Sequence, residues 1–185
     1  MGKTMTLRGS IDNVEFGNAS EKLILSYESP DRSRGWKITG AFVWAKNNTG
    51  GSYADGTRDA NYGAFFRLQT DSISNLQATD FLSADESRVV AWANVSYNNL
   101  MNAAGAASGQ MSVHGDFTRN SEFLIDVDRI VTNELYIAGV SYISSLSDNP
   151  PPQDYSYMIV MEEIKIKPTE SVLQQLKGIG QDIDN

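Results

Sequence analysis

Apolar and polar residues alternate with a period of two along most of the chain, which is the pattern of half-buried β-strands. The alternation is clearest near Leu135 and Ile137, which lie on the opposite face from Tyr136, Ala138 and Val140. Strands are predicted at residues 21–27, 36–46, 62–70, 88–95, 111–117, 122–127, 133–144 and 155–167. The alanine-rich spacing of 88–95 also leaves a helix open there.

The same alternation predicts which side chains enter the core. In 36–46, Ile38, Phe42 and Trp44 share one face, so we expect Trp44 to be buried. Trp36 begins that strand beside Gly35, and we expect it to be exposed. The same alternation predicts one apolar face in each of two other strands. In 21–27 the face consists of Leu23, Leu25 and Tyr27, and in 62–70 it consists of Tyr62, Ala64, Phe66 and Leu68.

The last predicted strand changes its apolar phase along its length. Tyr155 to Met161 follow one parity, whereas Ile164 and Ile166 follow the other. This change predicts a β-bulge near Glu162, or a core that changes sides. We expect the strand to run antiparallel to the one before it.

A short C-terminal helix is predicted at about residues 169–177. Pro168 suits the first helical turn and Gly178 suits the stop. Apolar residues recur at helical spacing and form a stripe of Val172, Leu176 and Ile179.

The composition supports one globular unit. The chain has 185 residues, of which 41% are apolar and 10% aromatic, enough to build a sizeable core. With the strand pattern, this predicts a single all-β domain over residues 1–185, an antiparallel β-sandwich or barrel.

Charge and residue usage exclude several functions. A net charge of -8 opposes strong nucleic-acid binding, and the absence of cysteine excludes disulfides and thiolate sites. No apolar run approaches the roughly 18 residues of a membrane span. The N-terminus lacks the apolar segment of a signal peptide, so we expect the mature protein to begin near Met1.

Little in the sequence indicates catalysis, so we predict no enzyme, cofactor or metal. The single histidine, His114, shares a predicted strand face with Asp116 but has no nucleophile motif nearby. Acidic clusters at 55–59, 80–86 and 126–128 do not match a calcium loop and are interpreted as solvated turns. Two carboxylates suffice for glycoside hydrolysis, so counting alone leaves that class open.

Aromatic side chains offer an alternative function. Exposed rings of Trp36, Tyr53 and Tyr62 would form a flat platform for sugar rings, as in a carbohydrate-binding β-sandwich module. That function predicts a monomer.

The C-terminal part of the chain carries a family resemblance. Leu135-Tyr-Ile-Ala-Gly-Val is followed by a long loop, a Tyr-rich strand ending Met161-Glu-Glu-Ile-Lys-Ile, and the helix at 170–177. This order resembles the end of coat proteins from small icosahedral viruses, including environmental ones, whose subunits are single jelly rolls. The resemblance implies a jelly-roll sandwich.

The same resemblance implies a structural role in a virion. The chain would be a self-assembling capsid subunit or a decoration protein, a homo-oligomer with other capsid proteins as further partners. The stripe of Val172, Leu176 and Ile179 would be a subunit contact, or would cover the chain's own sandwich. The chain departs from many such proteins in lacking a basic N-terminal arm and in being acidic, which leaves room for a decoration role.

Overall fold

The computed structural model describes residues 2–27, 33–46, 60–73, 76–82, 85–99, 120–143, 153–167 and 169. The predicted strand at 111–117 lies outside these residues, as does the predicted C-terminal helix except Thr169. The described residues form a short 3-10 helix at Ala78–Leu82 and the strands β1 (Thr4–Val14), β2 (Ser20–Ser26), β3 (Arg34–Ala45), β4 (Ala60–Gln69), β5 (Val89–Asn99), β6 (Asn120–Glu122), β7 (Leu124–Ile125), β8 (Glu134–Ile143) and β9 (Gln153–Lys165). No helix within the described ranges is long and apolar enough to span a bilayer.

The strands form two antiparallel sheets that pair the chain from its ends inward. The four-stranded sheet has the order β1-β9-β3-β6, and the five-stranded sheet has the order β2-β8-β4-β5-β7. The first strand therefore pairs with the last, β2 pairs with β8, β3 with β6, and β4 with β5. Such nested pairing, distributed over two sheets, is the jelly roll. The predicted fold class is confirmed.

The position of β9 follows from this nesting. It does not pair with β8, the strand before it, but lies between β1 and β3 in the other sheet. The segment 88–95, for which a helix was left open, is strand β5.

The first strand has no counterpart among the predicted elements. Met5 and Leu7 pack against the core and Ile11 is buried, so β1 does alternate. Gly9 interrupts the apolar series, because a Cβ there would lie 2.5 Å from the hydroxyl of Tyr157 on the paired strand. The aromatic ring occupies the place of the missing side chain.

The core lies between the two sheets. The prediction for β4 is confirmed at Ala64, Phe66 and Leu68, which are buried, and the side chain of Tyr62 lies outside the described residues. Leu135 and Ile137 of β8 meet them from the neighbouring strand. The four-stranded sheet contributes Ile11, Val43, Tyr155, Tyr157, Ile159 and Met161.

A β-bulge in β3 changes which side chains face this core. Ile38 pairs with Met161 and Gly40 pairs with the adjacent Val160, so Thr39 is an extra residue. Its hydroxyl donates a hydrogen bond to the carbonyl oxygen of Val160 at 3.2 Å. One additional residue reverses the alternation, so inward positions are even-numbered before the bulge and odd-numbered after it.

The bulge overturns the predicted roles of two tryptophans. Trp36 is only 7% exposed, because it lies on the inward phase before the bulge with Ile38. After the bulge Val43 is buried instead, and Trp44 points outward with 36% of its surface exposed. Phe42 also points outward and is half-buried. The predictions that Trp36 is exposed and that Trp44 is a core residue are both wrong.

Two further phase predictions are corrected. In β2 a register shift between Leu23 and Leu25 turns Leu23 outward, with 45% of its surface exposed. In β9 the residues past Glu162 stay paired with β3 without a register shift, so the predicted bulge near Glu162 is wrong. The bulge of this strand pair lies in β3, between Ile38 and Gly40. Ile166 is buried beyond the end of β9.

Deleting Thr39 is expected to destabilise the protein by about 3 kcal/mol or more, because one half of β3 would present the wrong residues to the core. Thr39→Ala keeps the extra residue and removes one hydroxyl, so its cost should stay near or below about 1 kcal/mol. Urea unfolding followed by circular dichroism compares the two. Equal stability of both variants would contradict the role of the bulge.

Candidate functional site

The outer face of the five-stranded sheet is covered by the chain's own β4–β5 connection. Ala138 and Val140 point away from the main core yet are fully buried. Leu76 and Phe81 of the connection pack on them, with the 3-10 helix holding Phe81 in place. This face is therefore part of the structural interior and is not available to a partner at these positions.

A buried arginine lies under the same connection. Arg67 of β4 is 1% exposed, and its Nε donates to Oε1 of Gln69 at 2.7 Å. Its Nη1 donates to the backbone oxygen of Asp80 at 3.2 Å, and the guanidinium carbon lies 4.9 Å from the centre of the Phe81 ring. Burial lowers the pKa of Arg67, and the nearby carboxylates of Glu86 and Asp80 oppose that shift.

Glu21 connects the edge strand β2 to the cluster of Arg67 and Gln69 through hydrogen bonds. Its carboxylate accepts hydrogen bonds from Nε2 of the fully buried Gln69 and from the hydroxyl of Ser72. It also accepts the backbone N–H of Ile73 at 3.1 Å. A carboxylate that satisfies three donors from β4 and the connection fixes the connection on the sheet. Sequence reasoning missed this cluster, because its only signal was a lone arginine in an apolar strand.

The outer face of the four-stranded sheet has a different character. Four apolar side chains point outward from its two central strands, and we call them the outer patch: Phe42, Trp44, Met158 and Val160. Phe42 lies directly opposite Met158 on the paired strand. Trp44 is exposed and the other three are half-buried, and no other described element packs over them. A group of apolar side chains on a sheet face without described cover is a candidate interaction surface.

Charged residues border the outer patch. Arg8 of β1 lies opposite Met158, and Glu122 of β6 lies opposite Phe42. Lys37 and Glu162 face outward beyond the bulge, opposite one another. Within the described part of the chain, none of these four side chains forms an ion pair.

Of the three aromatic residues of the predicted sugar platform, the structure describes the side chain of Trp36 alone. Trp36 is buried, with its ring edge-on to Tyr27 at 5.8 Å between ring centres, so its face is not free to stack on a sugar. Tyr62 is in β4, but its side chain and the whole of Tyr53 lie outside the described residues. The same holds for His114, Asp116 and the stripe of Val172, Leu176 and Ile179.

The acidic clusters have local partners where they are described. Asp126 accepts the backbone N–H of Asp128 at 3.1 Å and contacts Arg129 at 3.5 Å. Asp80 accepts the backbone N–H of Gln77 at 2.8 Å, and residues 55–59 lie outside the described part. Across the described residues, no three acidic or histidine side chains converge as metal ligands.

Comparison with known proteins finds similarity only at the level of structure. No protein-family model matches the chain. A search of curated proteins also gives no match.

Similar solved structures include VP1 proteins of polyomaviruses and Turnip Yellow Mosaic Virus. VP1 of Trichodysplasia spinulosa-associated polyomavirus is 8% identical, with a TM-score of 0.46 over 89% of this chain and 96% of that one. Apo VP1 of chimpanzee polyomavirus is 6% identical, with a TM-score of 0.46 over the same shares. Turnip yellow mosaic virus is 5% identical, with a TM-score of 0.34 over 90% of this chain and 96% of that one.

These TM-scores all lie below 0.5, so the class of the protein is taken from its own strand pairing. The nested order of the two sheets makes the described strands a jelly-roll β-sandwich.

Glu21→Ala is expected to destabilise the protein by about 2 kcal/mol, because buried Gln69 and the Ile73 N–H lose their acceptor. Glu21→Gln retains an amide oxygen that accepts both hydrogen bonds, so it should cost about half as much. Urea unfolding measures both variants. An alanine variant as stable as wild type would contradict the anchoring role of Glu21.

Proposed function

We propose that this chain is a structural subunit of a viral shell, either a coat subunit that assembles with copies of itself or a decoration protein. The observation that carries the proposal is a jelly roll in which one sheet face is covered and the other has an apolar centre that no described residue covers. Viral capsid and lectin domains both use the jelly roll, so the composition of the second face is what supports the first of these uses.

The chemistry of the outer patch favours protein over sugar. A sugar ring stacks on a flat aromatic face, which Met158 and Val160 do not offer. Aromatic residues and methionine are enriched where proteins meet proteins, and Phe42, Trp44 and Met158 fit that composition. The buried position of Trp36 removes one member of the alternative sugar platform.

The mechanism is assembly without catalysis. Nested pairing joins the first strand to the last and makes the sandwich a rigid block. A symmetric shell repeats one contact many times, so each contact need only be modest. On this basis we propose the virion as the location of the protein.

Contact with the genome would be weak or left to another capsid protein. The chain carries 23 acidic and 15 basic residues, a balance that repels phosphate backbones.

The apolar stripe of Val172, Leu176 and Ile179 is proposed as a second contact. It would dock on a neighbouring subunit or cover its own sandwich. Leu176→Asp separates the two roles, because it weakens assembly alone in the first case and lowers stability in the second.

Purified protein is expected to form particles or rings of defined size. Size-exclusion chromatography with light scattering gives the mass of each species, and negative-stain microscopy shows its shape. Assembly should weaken in Trp44→Asp and persist in Leu124→Asp, a control at a residue 75% exposed outside the outer patch. A single-chain mass at every concentration, salt and pH would contradict the coat-subunit function.

A further inference from the structure

The outer face of the four-stranded sheet carries charges of opposite sign on its two sides. One line of register crosses all four strands through Arg8, Met158, Phe42 and Glu122 in that order. Strands lie about 4.8 Å apart, so Arg8 and Glu122 are about 14 Å from each other and do not pair within one chain. The line therefore reads basic, apolar, apolar, acidic.

We propose that this face binds the same face of a second copy, around a twofold axis that runs parallel to the strands between β9 and β3. This inference rests on the proposed function, because both require copies of the chain to associate. It adds which surface of each copy forms the contact. A twofold contact joins one surface patch to itself, so the patch must be self-complementary.

The register line meets that requirement. Rotation about this axis places β1 of one copy over β6 of the other, and β9 over β3. Arg8 then faces Glu122 of the second copy, and the reciprocal contact forms on the other side. Met158 meets Phe42 of the second copy at the centre, where water is excluded.

A second line of register is complementary in the same way. Next to Met158 and Phe42, Val160 lies opposite Gly40, which is buried and carries no side chain. One step beyond the bulge, Glu162 lies opposite Lys37, so the rotation places each of them over the opposite charge.

Charge selects this axis over the other twofold arrangement. An axis across the strands would place β1 over β1 and β6 over β6, so Arg8 would face Arg8 and Glu122 would face Glu122. Like charges brought together at a contact disfavour it. Both axes keep the strands of the two copies aligned within the roughly 30° of face-to-face sheets, so charge is what distinguishes them.

Charge reversal tests this contact directly. In Arg8→Glu, two acidic side chains meet at both symmetry-related positions, and in Glu122→Arg two basic ones meet. Each variant alone should dimerise about tenfold more weakly than wild type, measured by sedimentation velocity over a concentration series. An equimolar mixture should regain wild-type affinity, because every contact in the mixed dimer pairs opposite charges.

The mixture also separates a contact effect from a folding effect, since a misfolded variant is not rescued by another. Glu15→Arg, a charge reversal at an exposed residue outside the face, is the matched control and should dimerise like wild type. Unchanged dimerisation in both reversed variants, or no rescue on mixing, would overturn the proposed contact.

The two proposals fail in distinguishable ways. Particles that persist in both reversed variants would leave the shell function standing and overturn this contact. Dimers that behave as expected but never form larger species would support the contact and count against a coat subunit. A wild-type chain that stays monomeric at all concentrations overturns the contact.

Discussion

An extra residue in the third strand, Thr39, determines which side chains of the four-stranded sheet face the core. Without it, Ile38 and Trp44 would share one face of a regular strand. With it, Trp36 and Ile38 are buried before the bulge and Val43 is buried after it, which leaves Trp44 outside. The bulge therefore places Phe42 and Trp44 in the outer patch, beside Met158 and Val160 of β9. Bulges are features that redirect side chains, and here the redirected side chains form the candidate contact.

The two sheets differ in what covers their outer faces. The five-stranded sheet uses its own β4–β5 connection, held by Glu21, Gln69 and Arg67, to bury Ala138 and Val140. The four-stranded sheet has no such cover among the described residues. Its outward side chains are apolar at the centre of the face and charged at the border. A fold that completes one face internally and leaves the other apolar is suited to association through the second face.

The positions of the strands along the sequence were predicted more accurately than which face of each strand points into the core. Strand β4 was predicted correctly because its alternation is uninterrupted, and β1 was missed because Gly9 hides its period. A bulge belongs to a pair of strands, so the phase of β3 depends on its register with β9 and not on β3 alone. The jelly-roll order came from a resemblance, since periodicity carries no information on which strands pair. The predicted site residues Trp36, Val172 and Leu176 did not include the outer patch, because Phe42 and Trp44 were assigned to the core face of their strand.

The solvent exposure of Trp44 tests the central claim most directly. In the variant Trp36→Phe/Trp92→Phe, Trp44 is the only tryptophan of the original three, and acrylamide quenching reports its exposure. We expect efficient quenching at concentrations where light scattering finds single chains, and strong protection where it finds associated chains. Equal quenching in both conditions would contradict the claim that this sheet face is the contact between copies.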